Sequence, residues 1–164
     1  MATGHHAMAA PSPGLVFDTL LAFQQTAALR TAIELDVFRA VGEGPGDVAS
    51  LARQCSASER GIRILCDYLT IHGFLVKEND CYRHTPTSEL FLDPRSPACV
   101  ASISRFLGDQ QIQDIARRLP EIVRGGRTLL PGDGTVEPDN PVWVEFAHSM
   151  APMMAPMAAP LGEH

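Results

Sequence analysis

No run of about 20 uninterrupted apolar residues, the length a helix needs to cross a bilayer, occurs in the 164 residues of this chain, so no membrane partner is expected. Basic residues are in deficit. Thirteen Lys and Arg stand against 19 Asp and Glu, and the net charge of −6 argues against a strongly basic nucleic-acid binder while leaving room for a local basic patch. The N-terminus, MATGHHAMAAPSPG, lacks the basic start and apolar centre of a secretion signal. The expectation is a cytoplasmic protein with a disordered stretch at residues 1–14, in which His5-His6 is either native or left from a tag. Cysteine is sparse, and Cys55, Cys66, Cys81 and Cys99 contain no C-x-x-C pair. In a cytosolic chain they are expected reduced and partly buried, and their spacing to His72 or His84 fits no known structural zinc site. There is no G-x-G-x-x-G, and Gly132-Asp133-Gly134 has no strand before it and no helix-opening glycine after it. No paired acid/base constellation occurs either, which leaves no candidate catalytic, cofactor-binding or metal-binding residue.

What is present is organised around Ser56 to Thr85, SASERGIRILCDYLTIHGFLVKENDCYRHT. Ser56 with Glu59 three places on has the form of a capping box at a helix start. Ile62, Leu65, Cys66 and Leu69 recur at helical spacing, with Ile64, Tyr68 and Ile71 widening the apolar face. Arg60, Arg63, Asp67 and Thr70 make a narrow polar stripe opposite, in which Arg63 and Asp67 read as an i, i+4 pair. Gly73 can adopt positive φ and end the helix. Phe74-Leu75-Val76 then begins a strand, Glu78-Asn79-Asp80 can turn, and Tyr82-Arg83-His84 returns. A helix running directly into a hairpin is the second half of a winged helix-turn-helix. The fold expected is mainly α, a winged helix-turn-helix with a small β-hairpin plus additional C-terminal helices.

The flanking segments fit that frame. Leu15 to Val41 reads as one helix that is apolar on more than one face, with Leu20, Phe23, Ala27 and Arg30 along one line and Leu21, Ala28 and Leu35 on others. A surface helix usually shows one apolar stripe, so the excess calls for a second partner, either the rest of the fold or another copy of the chain. Gly42 to Gly46 breaks this helix, and Asp47 can cap a short one, Val48 to Gln54, with Val48, Leu51 and Ala52 inward. Cys55-Ser56-Ala57 is the turn. After the hairpin, Thr85-Pro86-Thr87 opens a helical turn, and Ser96 to Leu107 and Asp109 to Arg124 read as two more helices, the second with Pro120 inside it and Gly125-Gly126 at its end. A loop of about a dozen residues leads to Pro141 and the amphipathic VWVEFAHSM, Val142 to Met150, where His148 reads as a surface residue. Pro152, Pro156 and Pro160 follow at intervals that oppose a free helix, and the end at His164 looks cut off. The segments are thus 1–14, a winged-helix unit over 15–93, a helical extension and loop over 94–141, and a linking helix over 142–164.

A DNA reader would add basic residues to the second helix and the wing. Here Asp67 and Glu59 accompany Arg60 and Arg63, and Lys77 lies beside Glu78 and Asp80. A winged-helix transcription regulator is therefore the alternative reading, and a stand-alone ligand-binding module beneath Phe106, Phe146 and Met150 is a third.

Taken together, ALRTAIELDVF (Ala28 to Phe38), ILCDYLTIHGFL (Ile64 to Leu75), YRHTPTSELF (Tyr82 to Phe91), LPEIVRGG (Leu119 to Gly126) and FAHSM (Phe146 to Met150) form a succession of motifs. It resembles the N-terminal dimerisation domain of small-molecule O-methyltransferases that use S-adenosylmethionine, both the plant caffeic-acid and isoflavone type and the bacterial polyketide-tailoring type. The resemblance implies a homodimer whose helical domain roofs the active site of a C-terminal Rossmann-like domain, which binds S-adenosylmethionine and acts on a small, aromatic hydroxyl acceptor. It further implies that Phe146, Met150 and Met153 line the acceptor site. The chain departs from the pattern in holding no cofactor-binding glycine-rich turn, so this fragment alone is expected to bind no cofactor and to transfer no methyl group, and in its late prolines.

Overall fold

The structure is a computed structural model, and it describes residues 12–108, 110–127 and 147. In chain order the elements are α1 (Gly14–Glu34), α2 (Val37–Glu43), α3 (Val48–Gln54), α4 (Glu59–Ile71), β1 (Leu75–Glu78), β2 (Cys81–His84), α5 (Pro86–Phe91), α6 (Ile103–Leu107), α7 (Gln110–Arg117) and α8 (Leu119–Gly125). A mainly helical winged helix with a two-stranded hairpin and further helices is what the residue pattern predicts.

The helix-turn-helix is α3 and α4. Asp47 caps α3 by accepting from the Ser50 N–H at 2.9 Å, as expected, and that bond holds its carboxyl below the usual range. The cap of α4 is displaced from the expected position. Ser58, not Ser56, accepts from the Gly61 N–H at 3.1 Å, and Ser56 instead takes the left-handed turn conformation at φ 50°. Gly73 ends the segment at φ 76°, and Phe74 N–H closes back onto Leu69 O at 2.9 Å. Antiparallel pairing then sets Val76 opposite Arg83 and Lys77 opposite Tyr82. Asn79 and Asp80 both carry positive φ (48° and 62°), the tight turn whose twist matches a hairpin.

Behind the hairpin lies the core. Val37, Phe38, Leu51, Ile62, Cys66, Leu69, Leu75 and Tyr82 are buried in one cluster contributed by α2, α3, α4 and both strands. Burial pushes the Cys66 thiol up to about 12, so it behaves as an apolar group and not as a nucleophile. All four cysteines are free thiols, Cys55 and Cys66 buried and Cys81 and Cys99 half-buried. A third segment completes the wing: Tyr82 N–H donates to Gly46 O at 2.8 Å, and Asp47 forms an isolated bridge with Cys81.

Four element boundaries differ from the sequence reading. The first long helix is two helices, because Asp36 adopts the left-handed conformation (φ 56°) and redirects the chain, so that α2 buries Val37, Phe38, Ala40 and Val41. Asp tolerates that conformation better than most residues. The predicted break at Gly42 comes late, since α2 runs on to Glu43. Over 96–107 only Ile103–Leu107 is α-helical, and the stretch before it is a series of tight turns such as Cys99 N–H to Ser96 O. Finally, Pro120 does not kink a long helix but stands in the first turn of a separate one, α8, where its missing N–H costs little.

A second polar hub fixes the segment that follows the wing. His84 Nε2 lies 2.9 Å from Phe38 O, and its Nδ1 lies 3.0 Å from Ser88 Oγ. The buried Asp93 lies 3.7 Å from the same imidazole and accepts two bonds from Arg95 Nε at 3.0 and 3.1 Å, which hold its carboxyl below the usual range. This network ties α2, β2 and α5 to the turn that starts the post-wing extension.

Candidate functional site

The winged motif presents two surfaces of opposite character. On the wing, both basic side chains are paired within the fold. Lys77 Nζ bonds Asp67 Oδ1 at 2.9 Å, the Tyr82 hydroxyl donates to the same oxygen at 2.6 Å, and Arg83 pairs with Glu78 at 3.5 Å. The expected Arg63–Asp67 pair is replaced by this arrangement, because the wing brings a buried phenol and an ammonium to Asp67 from 15 and 10 residues away. Those two donors lower the Asp67 carboxyl pKa, while burial and the carboxylate push the Tyr82 phenol up to about 12. With Lys77 and Arg83 committed internally, the wing offers few charges to phosphates, and no finding supports the DNA-reading alternative.

The cluster yields a pH prediction. A carboxylate with a depressed folded-state pKa contributes stability above its unfolded value of about 3.9, and that contribution is lost as pH falls through the lower folded value. Asp67→Asn is therefore expected to cost about 1 kcal/mol at pH 7, the size of a partly exposed charge-assisted bond. It is expected to cost less at pH 3, and urea unfolding at the two pH values measures the difference.

The opposite surface is apolar. The Ala- and Leu-rich stretch GLVFDTLLAFQQTAALRTAIE favours helix throughout. Yet only Ala32 of α1 is buried, with Leu29 and Ile33 packed partly against the core. The first turns run beyond the core and leave Leu15 77%, Phe17 60%, Leu20 65% and Phe23 67% exposed, with Val16 and Leu21 exposed beside them. Single exposed apolar residues are ordinary on any protein, but six within nine positions of one helix form a patch that marks an interaction surface.

Two recesses flank the later half of α1. One, of about 430 Å³, lies between α1 and α4 and is walled by Ala28, Thr31, Leu35, Ala57, Ile64 and Tyr68. The other, of about 280 Å³, lies between α1 and the post-wing segment against Leu29, Ile33, Leu92, Val100, Ile103 and Leu107. Ile64 and Ile71, expected to widen the buried face of α4, are exposed instead, so helical periodicity alone assigned them to the wrong surface. Leu107, Leu119 and Val123 of the extension are exposed as well.

The three predicted acceptor-lining residues, Phe146, Met150 and Met153, lie outside the described residues. So do Trp143, His148, the loop after Arg127, and all of the expected linking helix except Ala147. Among the described residues no group of three or more His, Cys, Asp or Glu could hold a metal ion, and no helix is long and apolar enough to cross a membrane.

Comparison with known proteins gives this surface its context. Residues 17–94 match the O-methyltransferase dimerisation domain family. Over 123 residues the chain is 32% identical to the tetracenomycin polyketide synthesis 8-O-methyl transferase of Streptomyces glaucescens, covering 74% of this chain and 36% of that protein. Among solved structures, a candidate O-methyltransferase from Nostoc punctiforme superposes with a TM-score of 0.84 at 43% identity, over 93% of this chain and 46% of that one. Human N-acetylserotonin methyltransferase in complex with S-adenosylmethionine superposes at 0.68 with 26% identity, again over 93% of this chain and 46% of the other. The chain thus spans less than half the length of each of these relatives. The exposed face of α1 and the winged unit behind it, residues 17–94, belong to the O-methyltransferase dimerisation domain family.

Proposed function

We propose that this chain is the dimerisation and acceptor-roof portion of an S-adenosylmethionine-dependent O-methyltransferase whose acceptor is a small, aromatic hydroxyl compound. The observation that carries the reading is the uncovered apolar face of α1 within a family defined by dimerisation. The relatives supply the chemistry: one methylates in tetracenomycin polyketide synthesis, and another is a methyltransferase for N-acetylserotonin held with S-adenosylmethionine. The sequence holds no G-x-G-x-x-G, and in this reading a Rossmann-like domain outside these residues supplies the methyl donor.

In this reading the described domain performs no chemistry. It joins two protomers and holds the linking segment, residues 142–164, over the acceptor. Phe146, Met150 and Met153 form the apolar wall, since a thioether is polarisable and conforms to a flat ring. Loss of one such contact removes about 1.4 kcal/mol, a factor of about ten. In the intact parent enzyme, Met150→Ala is therefore expected to raise the acceptor KM about tenfold while the affinity for S-adenosylmethionine stays unchanged. An unchanged acceptor KM would remove Met150 from the wall.

The self-association half of the reading is tested by hydroxyl-radical footprinting across a dilution series. Leu15, Phe17, Leu20 and Phe23 should lose reactivity as protein concentration rises, while Val76 on the wing should not. Equal reactivity of α1 at all concentrations would defeat the proposal.

A further inference from the structure

Arg30 stands where two recesses meet. It lines the apolar recess of about 280 Å³ between α1 and the post-wing segment, together with Ile33 and Ser104. The same three residues line a second recess of about 360 Å³, whose other walls are Glu34, Asp36, Arg105 and Gly108. The two form one cleft, apolar at one end and charged at the other, of the size of ordinary small-molecule sites (about 300–1,000 Å³). Arg30 is half-buried in it. The described arginine and lysine ion pairs engage Arg39, Lys77, Arg83, Arg95, Arg117 and Arg118, and leave Arg30 and Arg105 without a carboxylate partner among the described residues. Gly108 follows α6 with an ordinary φ of −88°, so the backbone does not call for glycine there. What the missing side chain provides is room. A Cβ at that place would lie 2.9 Å from Ser104 O and 3.1 Å from both Nε and Cζ of Arg30.

We infer that this cleft binds a small monocarboxylate with an apolar body, its carboxylate on the Arg30 guanidinium and its hydrocarbon against Leu29, Val100, Ile103 and Leu107. The inference goes beyond the reading above and rests on the cleft alone. A guanidinium offers a carboxylate two parallel N–H bonds, and a half-buried cation with unused donors is costly until such a partner arrives. Glu34 and Asp36 decide the charge of that partner. With Arg30 and Arg105 they bring the charged recess to neutrality, so a dianion such as a phosphate would meet two repelling carboxylates, whereas a carboxylate adds a single charge. The other end of the cleft decides the body. Apart from Arg30 itself, the residues lining it carry no charge, and most are aliphatic. A wholly apolar occupant would desolvate the guanidinium without bonding it, and a wholly polar one would leave the aliphatic walls in contact with water. Both walls come from one protomer, so the site is complete within a single chain.

Isothermal titration calorimetry of the 164-residue chain with octanoate tests this. Saturable binding is expected, weakened about tenfold by Arg30→Gln, which removes the charge outside the buried core. Leu107→Ser, at an exposed position on the apolar wall, should weaken it about fivefold with Arg30 in place. Urea midpoints near that of the unaltered chain show that both variants are folded. Octanol and octyl phosphate should each bind about tenfold more weakly than octanoate, the first for want of a charge and the second for carrying nearly two. No saturable binding at millimolar octanoate, or binding that Arg30→Gln leaves unchanged, overturns the inference. Octyl phosphate binding as tightly as octanoate overturns the choice of a carboxylate. Octanoate affinity that falls as protein concentration rises would give the cleft to a second copy of the chain, and overturns the inference as well.

Discussion

Changing Phe17 and Leu20 together to aspartate is expected to turn the protein into a monomer without unfolding it. Both side chains point away from the core, at 60% and 65% exposure, so the winged unit gains two surface charges and loses no packing. In the dimer each change occurs twice. Burying a Phe or Leu is worth about 1.5–3 kcal/mol, and a carboxylate left unpaired in the contact costs more than the lost burial. Even at the lower bound the four substituted sites remove about 6 kcal/mol, more than four decades in Kd. Far-UV circular dichroism and the urea midpoint of the dissociated protein should stay near those of a wild-type monomer at high dilution, while the mass halves. A double variant that still dimerises would mean that the contact lies elsewhere, for instance on Leu119 and Val123 of the extension.

The second large effect is expected at a position far from that surface. Gly46 adopts φ +77°, and a Cβ placed there would lie 2.2 Å from the carbonyl oxygen of Tyr82. The obstruction is backbone, held by the bond from Tyr82 N–H to Gly46 O at 2.8 Å, and cannot swing aside as a side chain would. Gly46→Ala must therefore break this bond and the adjoining Asp47–Cys81 bridge, or shift the wing off the core where Tyr82 is buried. Positive φ adds a further penalty of about 1–2 kcal/mol for any residue with a side chain. A loss of about 4 kcal/mol is expected, which for a domain of this size lowers Tm by roughly 15 °C or more. Thermal unfolding followed by circular dichroism measures it. Gly126, which has positive φ (62°) but nothing within 4 Å of its would-be Cβ, is the comparison: alanine there should cost far less.

The residues differ in how much of this they declared in advance. Asp47, Gly73 and the Asn79-Asp80 turn act within three or four positions of themselves, and local chemistry was enough to place α3, the end of α4 and the hairpin. Asp36 and Ser58 were misjudged because the decision is tertiary. Two serines stood within reach of the same helix start, and the turn geometry assigns one to the left-handed conformation and the other to the cap. The Asp67 carboxylate had a helical neighbour at the right spacing, but a buried phenol and a lysine from the hairpin outcompete it. Periodicity also reports apolar faces without saying what covers them. It placed Ile62 and Ile64 in one widened face, whereas one is buried and the other lines an open recess. The excess of apolar surface on α1 was visible in the sequence for a simple reason: a helix apolar on several faces has more to bury than one core can cover. What covers it depends on how α1 lies against α4, and no spacing rule contains that.

Multi-angle light scattering of the purified chain across a hundredfold concentration range tests the central claim most directly. The protomer mass is 17.7 kDa. The account predicts twice that value over the upper part of the range, falling toward a single protomer only on dilution and in the aspartate double variant. A mass of one protomer at every concentration would contradict it, because the exposed face of α1 would then be stable in water without a twin.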